Sequence, residues 1–389
     1  MRVALLLFSS VFASLVAPCA ALAAPHRPAS DDEIVETLPA GARQSDRATR
    51  ALRAATARDP ANLDLALRLA TLDVARARRD ADPRPLGRAQ ATLAPWWNAA
   101  DAPVPVLVLR ATIEQSGHAF EAAAADLERA LAREPGNAQA RLTLASVRQV
   151  TGDLDGAIES CRQLVDVAST ALAHTCEASV DAISGNAALA YDSLERAKAT
   201  FARDTSLLVW ATTLQAESAE RLGRIGDAER LYLASRALDP ADVYTIAAYA
   251  DFLLDAGRSA EVIAMIARDT PVDILLLRRV QAARRSGAAD AAAESDELAQ
   301  RFEALRTRGD RVHLREEARY TLDVLGRPAE ALALALENWR VQKEPLDARI
   351  VLEAALAAER PDAAREIVAW IDRTHLEGER IAALAEAAR

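Results

Sequence analysis

Lysine is almost missing from this sequence. Lys198 and Lys343 are the only two among 47 basic residues, and the rest are arginine. The bias reflects GC-rich coding more than function, and against 57 acidic residues it leaves a formal net charge of −10. An acidic chain without a basic stripe argues against nucleic acid as the main partner. Aromatic residues are also scarce, at 4%, although 51% of the chain is hydrophobic, so the apolar content is mostly alanine and leucine. That supplies few large side chains for one thick globular core and suits many thin interfaces between helices. Glycine (14) and proline (16) are few. Such a chain favours helix strongly and strand weakly.

Catalytic signatures are missing too. There is no His-Glu-x-x-His, no closely spaced cysteine pair, no glycine-rich phosphate loop and no Gly-x-Ser-x-Gly elbow. The five histidines, His26, His118, His174, His313 and His375, are scattered. His118 reads as a polar turn residue and His313 as a helix start. Carboxylates recur at helical spacing among arginines, as in Arg315, Glu316 and Glu317, the pattern of a solvated helix face. No enzyme activity, cofactor or metal is expected.

One local signal stands at the start. Arg2 precedes an apolar run from Val3 to Val16, Pro18 breaks it, and Ala21-Leu22-Ala23 offers small residues ahead of a cut before Ala24. Residues 1–23 read as a secretory signal peptide, too short for a comfortable membrane span. The expected location is periplasmic or secreted. An uncleaved anchor is one alternative. A lipid anchor on Cys19 is another, disfavoured because Pro18 stands where a small residue is wanted. Removing Arg2 with the leader takes the net charge from −10 to about −11. No later stretch is long and apolar enough to span a bilayer. Residues 24–40 read as a flexible segment.

The remainder is periodic. In Arg141 to Val165, Leu144 and Ala145 are followed by Gly152, Leu154, Ala157, Cys161 and Leu164. Gly152 suits a tight turn between helices, because it tolerates positive φ. Ala157 lets a second helix approach the first closely. The same order recurs as Ala111, Phe120, Ala123, Leu127 and Ala130; as Ala178, Gly185, Ala190, Leu194 and Ala197; and as Ala216, Gly223, Ile225, Ala228 and Tyr232. Later copies centre on Gly257, Gly287, Gly326 and Pro361, and Pro60, Pro135, Pro240, Pro271 and Pro345 close units. Near the start, Gln44 to Arg58, Asn62 to Arg79 and Leu86 to Leu93 read as helices, and Asp101 to Val108 as an extended lead-in. About nine units and a capping helix from Glu379 are expected.

This pattern resembles the tetratricopeptide repeat, a pair of antiparallel helices in about 34 residues. No single unit carries the family's full set of residues; the specificity lies in the repetition. The resemblance implies an all-α, right-handed superhelical solenoid. Its expected divisions are degenerate repeats over 41–102, core repeats over 103–271, and C-terminal repeats with the cap over 272–389. It also places Cys161 on the second helix of one unit and Cys176 on the first helix of the next, two helices that pack together. In an oxidising compartment a disulfide is the favoured reading, and two small buried residues the alternative. Trp97 and Trp339 read as core, and Trp96 as core or as an exposed anchor.

In this family the first helices line a concave groove. Carrying the register over places Thr112, Gln115, Gln139, Ser146 and Gln149 there, then Trp210, Thr213, Glu217 and Arg221. Tyr244, Asp251, Gln281, Arg284, Arg285, Tyr320 and Asp323 follow. None is Asn or Lys, so the family's carboxylate clamp is not implied. The expected partner sites are Trp210, Glu217, Arg221, Tyr244, Asp251, Gln281, Arg284, Arg285 and Tyr320, facing a protein or peptide. The function implied is a non-catalytic scaffold or assembly factor of the cell envelope. An accessory subunit of a polysaccharide or lipid export machine and a glycan-binding solenoid are the alternatives.

Overall fold

The computed structural model describes Ser30, residues 40–198 and residues 204–389. The expected leader over 1–23, Cys19 and nearly all of the segment 24–40 lie outside the described residues. Contacts divide the chain into Met1–Leu52 and Arg53–Arg389. Helix α1 (Ala40–Arg58) crosses that boundary, and all later helices belong to the second unit.

The second unit is built of helix pairs, with no strand among the described residues. Helices α2 (Leu63–Asp80) and α3 (Arg84–Thr92) form the first pair, followed by the short α4 (Ala94–Trp97). Next come α5 (Val104–Ser116) with α6 (Phe120–Arg133), α7 (Ala138–Thr151) with α8 (Leu154–Arg162), and α9 (Thr170–Asp181) with α10 (Ala187–Lys198). Then follow α11 (Thr205–Arg221) with α12 (Ile225–Leu238), α13 (Val243–Asp255) with α14 (Ser259–Met265), and α15 (Asp273–Ser286) with α16 (Ala291–Thr307). The last pairs are α17 (Leu314–Asp323) with α18 (Pro328–Trp339), and α19 (Pro345–Ala357) with α20 (Arg365–Thr374). Helix α21 (Glu379–Ala387) closes the array.

The local chemistry of the starts repeats. Asn62, Asn137, Asp153, Ser169, Asp204 and Asp242 each accept the backbone N–H three residues on, at 2.8–3.2 Å. Each cap satisfies one of the donors a helix start leaves open, and its loss costs about 1 kcal/mol. Gly152, at φ 88°, ends α7 in the left-handed region. His118 takes the same region at φ 59° between α5 and α6, and its ring stacks on Phe120 at 5.3 Å. The extended lead-in expected over Asp101 to Val108 is not found: α5 already begins at Val104. Pro103 is its N-cap and Pro105 sits in its first turn, where the missing N–H costs nothing.

The alanines do what their size allows. Ala123, Ala157, Ala190 and Ala228, one in each of four successive second helices, are all fully buried. Leu127, Cys161, Leu194 and Tyr232, four residues further along each, are buried beside them. Trp339 is buried edge-on against Trp370, at 5.2 Å between rings. Trp96 and Trp97 are both half-buried against the core of the first units, so the reading of Trp96 as an exposed anchor gives way to the core reading.

The array also meets itself. The Lys343 N–H, between α18 and α19, donates to Val150 O at the end of α7, at 2.8 Å. A Cβ on Gly152 would stand 3.0 Å from the Lys343 side chain. One unit on, Glu377 accepts the Ala187 N–H at the start of α10, at 2.7 Å, and a Cβ on Gly185 would lie 2.7 Å from that of His375. The turn edges of the third and fourth helix pairs thus rest on the opposite edge of the last pairs. What would be an open groove becomes an interior.

Candidate functional site

The inner wall is made by the first helices of the units, and most of its charges are spent on the protein itself. Asp251 on α13 accepts from Arg278 at 2.7 Å and from Arg319 at 2.9 Å. Burial works against that carboxylate, but the two guanidiniums together outweigh it and hold Asp251 well below the usual range. Asp255, one turn on, accepts from Arg349 at 2.5 and 2.6 Å and from Arg380 at 2.9 Å. Glu353 joins the same two arginines at 2.9 and 2.7 Å. This network ties α13 to α19 and α21.

Several expected partner sites fall into that scaffold instead of facing a ligand. Gln281 is 1% exposed; it donates to Asp323 at 2.5 Å and accepts from Arg319 at 3.3 Å. Tyr320 is 4% exposed, packs edge-on against Phe302, and its hydroxyl lies 2.9 Å from that of Ser295. The register is one position off at α17, and the tyrosine belongs to the core. Arg285 donates to Leu254 O at 3.0 Å. With Arg319, Arg349 and Arg380 it lines a cleft of about 590 Å³ between α15, α17, α19 and α21. Arg284 is exposed at the end of α15.

The rest of the inner wall stays open. A cleft of about 440 Å³ is lined by Gln115 from α5, Ser146 and Gln149 from α7, Trp210 from α11 and Tyr244 from α13. Arg78 closes one end, and Gln342 and Glu344 reach in from across the seam. Here the sequence register placed Gln115, Ser146, Gln149, Trp210 and Tyr244 together, and so does the structure. It missed Arg78, Gln342 and Glu344, because closure of the array brings the last two in and no periodicity encodes it.

Tyr244 is 56% exposed, and its hydroxyl donates to Glu217 at 2.6 Å. The concavity around the pair is narrow. Lost hydration raises the Tyr244 phenol well above its usual value and also raises the Glu217 carboxyl, which Arg221 and the tyrosine hydrogen bond only partly offset. Glu220, on the neighbouring face of α11, is pushed up to about 7 by burial, although it accepts from Tyr232 at 2.9 Å. Arg221 stands beside both carboxyls, with one buried nitrogen unpartnered among the described residues.

Cys161 on α8 and Cys176 on α9 are joined as a disulfide, with Sγ atoms 2.01 Å and Cα atoms 5.3 Å apart. Cys176 also lines the 440 Å³ cleft, so the bond staples two units directly beneath it. Among the described residues no cluster of His, Cys, Asp and Glu could hold a metal ion, and no helix is long and apolar enough to cross a membrane.

Comparison with known proteins agrees with this architecture. A tetratricopeptide repeat family model matches residues 117–178, a segment that covers α6, α7, α8 and most of α9. No curated protein matches the chain in sequence. Among solved structures, the type IV pilus biogenesis factor PilW is similar at 21% identity and a TM-score of 0.40, over 51% of this chain and 94% of PilW. A tetratricopeptide repeat protein from Parabacteroides merdae is similar at 16% identity and a TM-score of 0.41, over 61% of this chain and 92% of that one. A Rap protein complexed with competence and sporulation factor is similar at 14% identity and a TM-score of 0.49, over 89% and 94% of the two chains. These likenesses are of helical arrangement. Residues 117–178 thus match the tetratricopeptide repeat family, and the helix pairs on either side repeat the same helical arrangement.

Proposed function

We propose that the protein is a peptide-binding scaffold whose ligand lies in the interior cleft between α5 and α13. One observation carries the reading. The inner wall spends Asp251, Asp255, Gln281 and Arg319 on its own closure, yet leaves Trp210, Tyr244, Gln115 and Gln149 side by side around open space. Aromatic side chains and amides in a concave, preformed site suit an extended chain, whose backbone needs donors and acceptors and whose side chains need apolar surface. The proposed setting is the cell envelope outside the cytosol. The disulfide between Cys161 and Cys176 and the leader read in residues 1–23 support it.

A photo-crosslinking amino acid at Gln149 tests the site in living cells. It captures a defined partner, whereas the same group at Leu233, exposed on the second helix α12, captures none. Equal capture from both positions removes the cleft as the site.

A further inference from the structure

On the inner face, carboxylates come with their cations. Asp251 has Arg278 and Arg319, Asp255 has Arg349 and Arg380, and Glu344 has Arg315. Glu217 has no such partner. Its one hydrogen bond among the described residues is from the Tyr244 hydroxyl, made to Oε1, and no cation is within ion-pair distance. Arg221 follows one turn later on the same helix without pairing with it. Burial holds the Glu217 carboxyl above the usual range, and the nearby charge of Arg221 and the Tyr244 hydrogen bond only partly offset it.

The surroundings of Glu217 have the complementary shape. The Tyr244 ring is fixed by its hydroxyl but more than half exposed, and Trp210 lines the same cleft from the helix that carries Glu217. Aromatic faces beside an unmatched carboxylate attract a cation twice, through the ring quadrupole and through direct charge. The cleft is also polar along its length. Arg78 lines it from α2, exposed and without an ion-pair partner among the described residues, and Tyr244 lines it from α13, with Glu217 accepting its hydroxyl. Gln115, Gln149 and Gln342 also line the cleft, and the one carboxylate in its lining, Glu344, is already paired with Arg315, so a cationic side chain is drawn to the Tyr244 side. A glycan would use the aromatic faces and amides equally well, and its hydroxyls can donate to a carboxylate, but a neutral sugar brings no counter-charge.

Resting on the reading of this cleft as a peptide site, we propose that it selects an extended segment carrying a lysine or arginine, whose cationic group seats on Trp210 and Tyr244 against Glu217.

The test uses the full chain and fluorescence anisotropy with fluorescein-labelled Gly-Ser-Ala-Arg-Ala-Ser-Gly. Two further peptides carry norleucine or glutamate in place of the arginine. The arginine peptide binds at least tenfold more tightly than the norleucine peptide, and the glutamate peptide binds most weakly. Glu217→Gln lowers the arginine peptide to the norleucine level and leaves the norleucine peptide unchanged. The peptide comparison on the unaltered protein needs no variant and stands even if Glu217→Gln folds poorly. Equal binding of all three peptides, abolished by the cleft-filling Gln149→Trp, overturns the cation site and keeps the cleft. Binding that Gln149→Trp leaves intact overturns both. Binding of none of the three peptides also overturns the proposal, and binding of chitotetraose in their place reassigns the cleft to a glycan.

Discussion

Where α11 meets α12 and α13, the interface is Ala216, Leu231, Tyr232 and Leu253, none more than 2% exposed. Where α13 meets α19 and α21, it is Asp255, Arg349 and Arg380, with side chains 22%, 19% and 50% exposed. The first kind of contact joins neighbours in sequence and rests on area removed from water, at about 25 cal/mol per Å². The second joins units roughly a hundred residues apart and rests on charge geometry, which is weak wherever solvent reaches it. Contacts between neighbours therefore rest on apolar area, while the closure mixes both kinds: one buried apolar cluster runs from Ala182 and Ile183 to Ile371 and Leu376, and the Asp255 network adds charge.

The difference can be broken from either side. The largest effect is expected in the neighbour interfaces. Leu276 is fully buried, and Leu276→Ala removes both its transfer energy and its packing, about 2–5 kcal/mol. Urea denaturation monitored by helix content reads it; a loss below about 1 kcal/mol would contradict the division. The disulfide comes next. It closes a 15-residue separation between adjacent units, and on the chain-entropy model its removal by Cys161→Ser with Cys176→Ser costs about 3 kcal/mol. Melting with and without reductant checks this, since reductant lowers the midpoint of the parent and leaves the double variant unmoved.

The third test uses acid and base to separate two carboxyls. Glu220 is raised to about 7 in the folded protein, so the fold holds a proton that the unfolded chain releases. Its contribution to stability is present below the ordinary glutamate value and is lost as pH rises from about 4.5 to about 7. The size is on the order of 1–3 kcal/mol, since a tenfold change in proton affinity is worth about 1.4 kcal/mol. Asp251 is depressed instead, so its contribution is present above the ordinary aspartate value and is lost as pH falls below it. Glu220→Gln flattens the melting profile between about pH 5 and 7, and an unchanged slope would remove Glu220 as its source. The smallest global effect belongs to the seam. Asp255→Asn is expected to cost about 1 kcal/mol or less in unfolding. It nevertheless speeds hydrogen exchange in α19 and α21 and widens the molecule in solution scattering at raised salt. Equal exchange in both proteins would show that the apolar contacts alone hold the closure.

The sequence was informative where its period governs and silent elsewhere. Helix pairs, the glycine turns and the cap from Glu379 follow from short-range spacing, and the pairing of Cys161 with Cys176 follows from which helices a solenoid makes adjacent. The same register put Trp210 and Tyr244 on the inner wall, and both line the cleft there. Tyr320 did not, because a shift of one residue on a helix turns a side chain by about 100°, and α17 begins at Leu314 after a loop that no repeat rule fixes. Gln342 and Glu344 were illegible for a different reason. Their place in the cleft depends on how far the array has turned before its edges meet, a sum of small rotations over many units. The same sum brings Arg349 to Asp255 across a separation of 94 residues.

The hydrogen bond from Lys343 to Val150 also bears on how the molecule is made. An open solenoid can fold as it leaves the ribosome, each unit docking on the one before it. The bond joins positions 193 residues apart in sequence (343 − 150), and the contact of Glu377 with Ala187 spans 190. Neither can form until nearly the whole chain has been synthesised. The neighbour interfaces can thus assemble during synthesis, while the cleft is completed only at the end. A chain truncated before residue 343 would keep most of its helices and lack the closed interior.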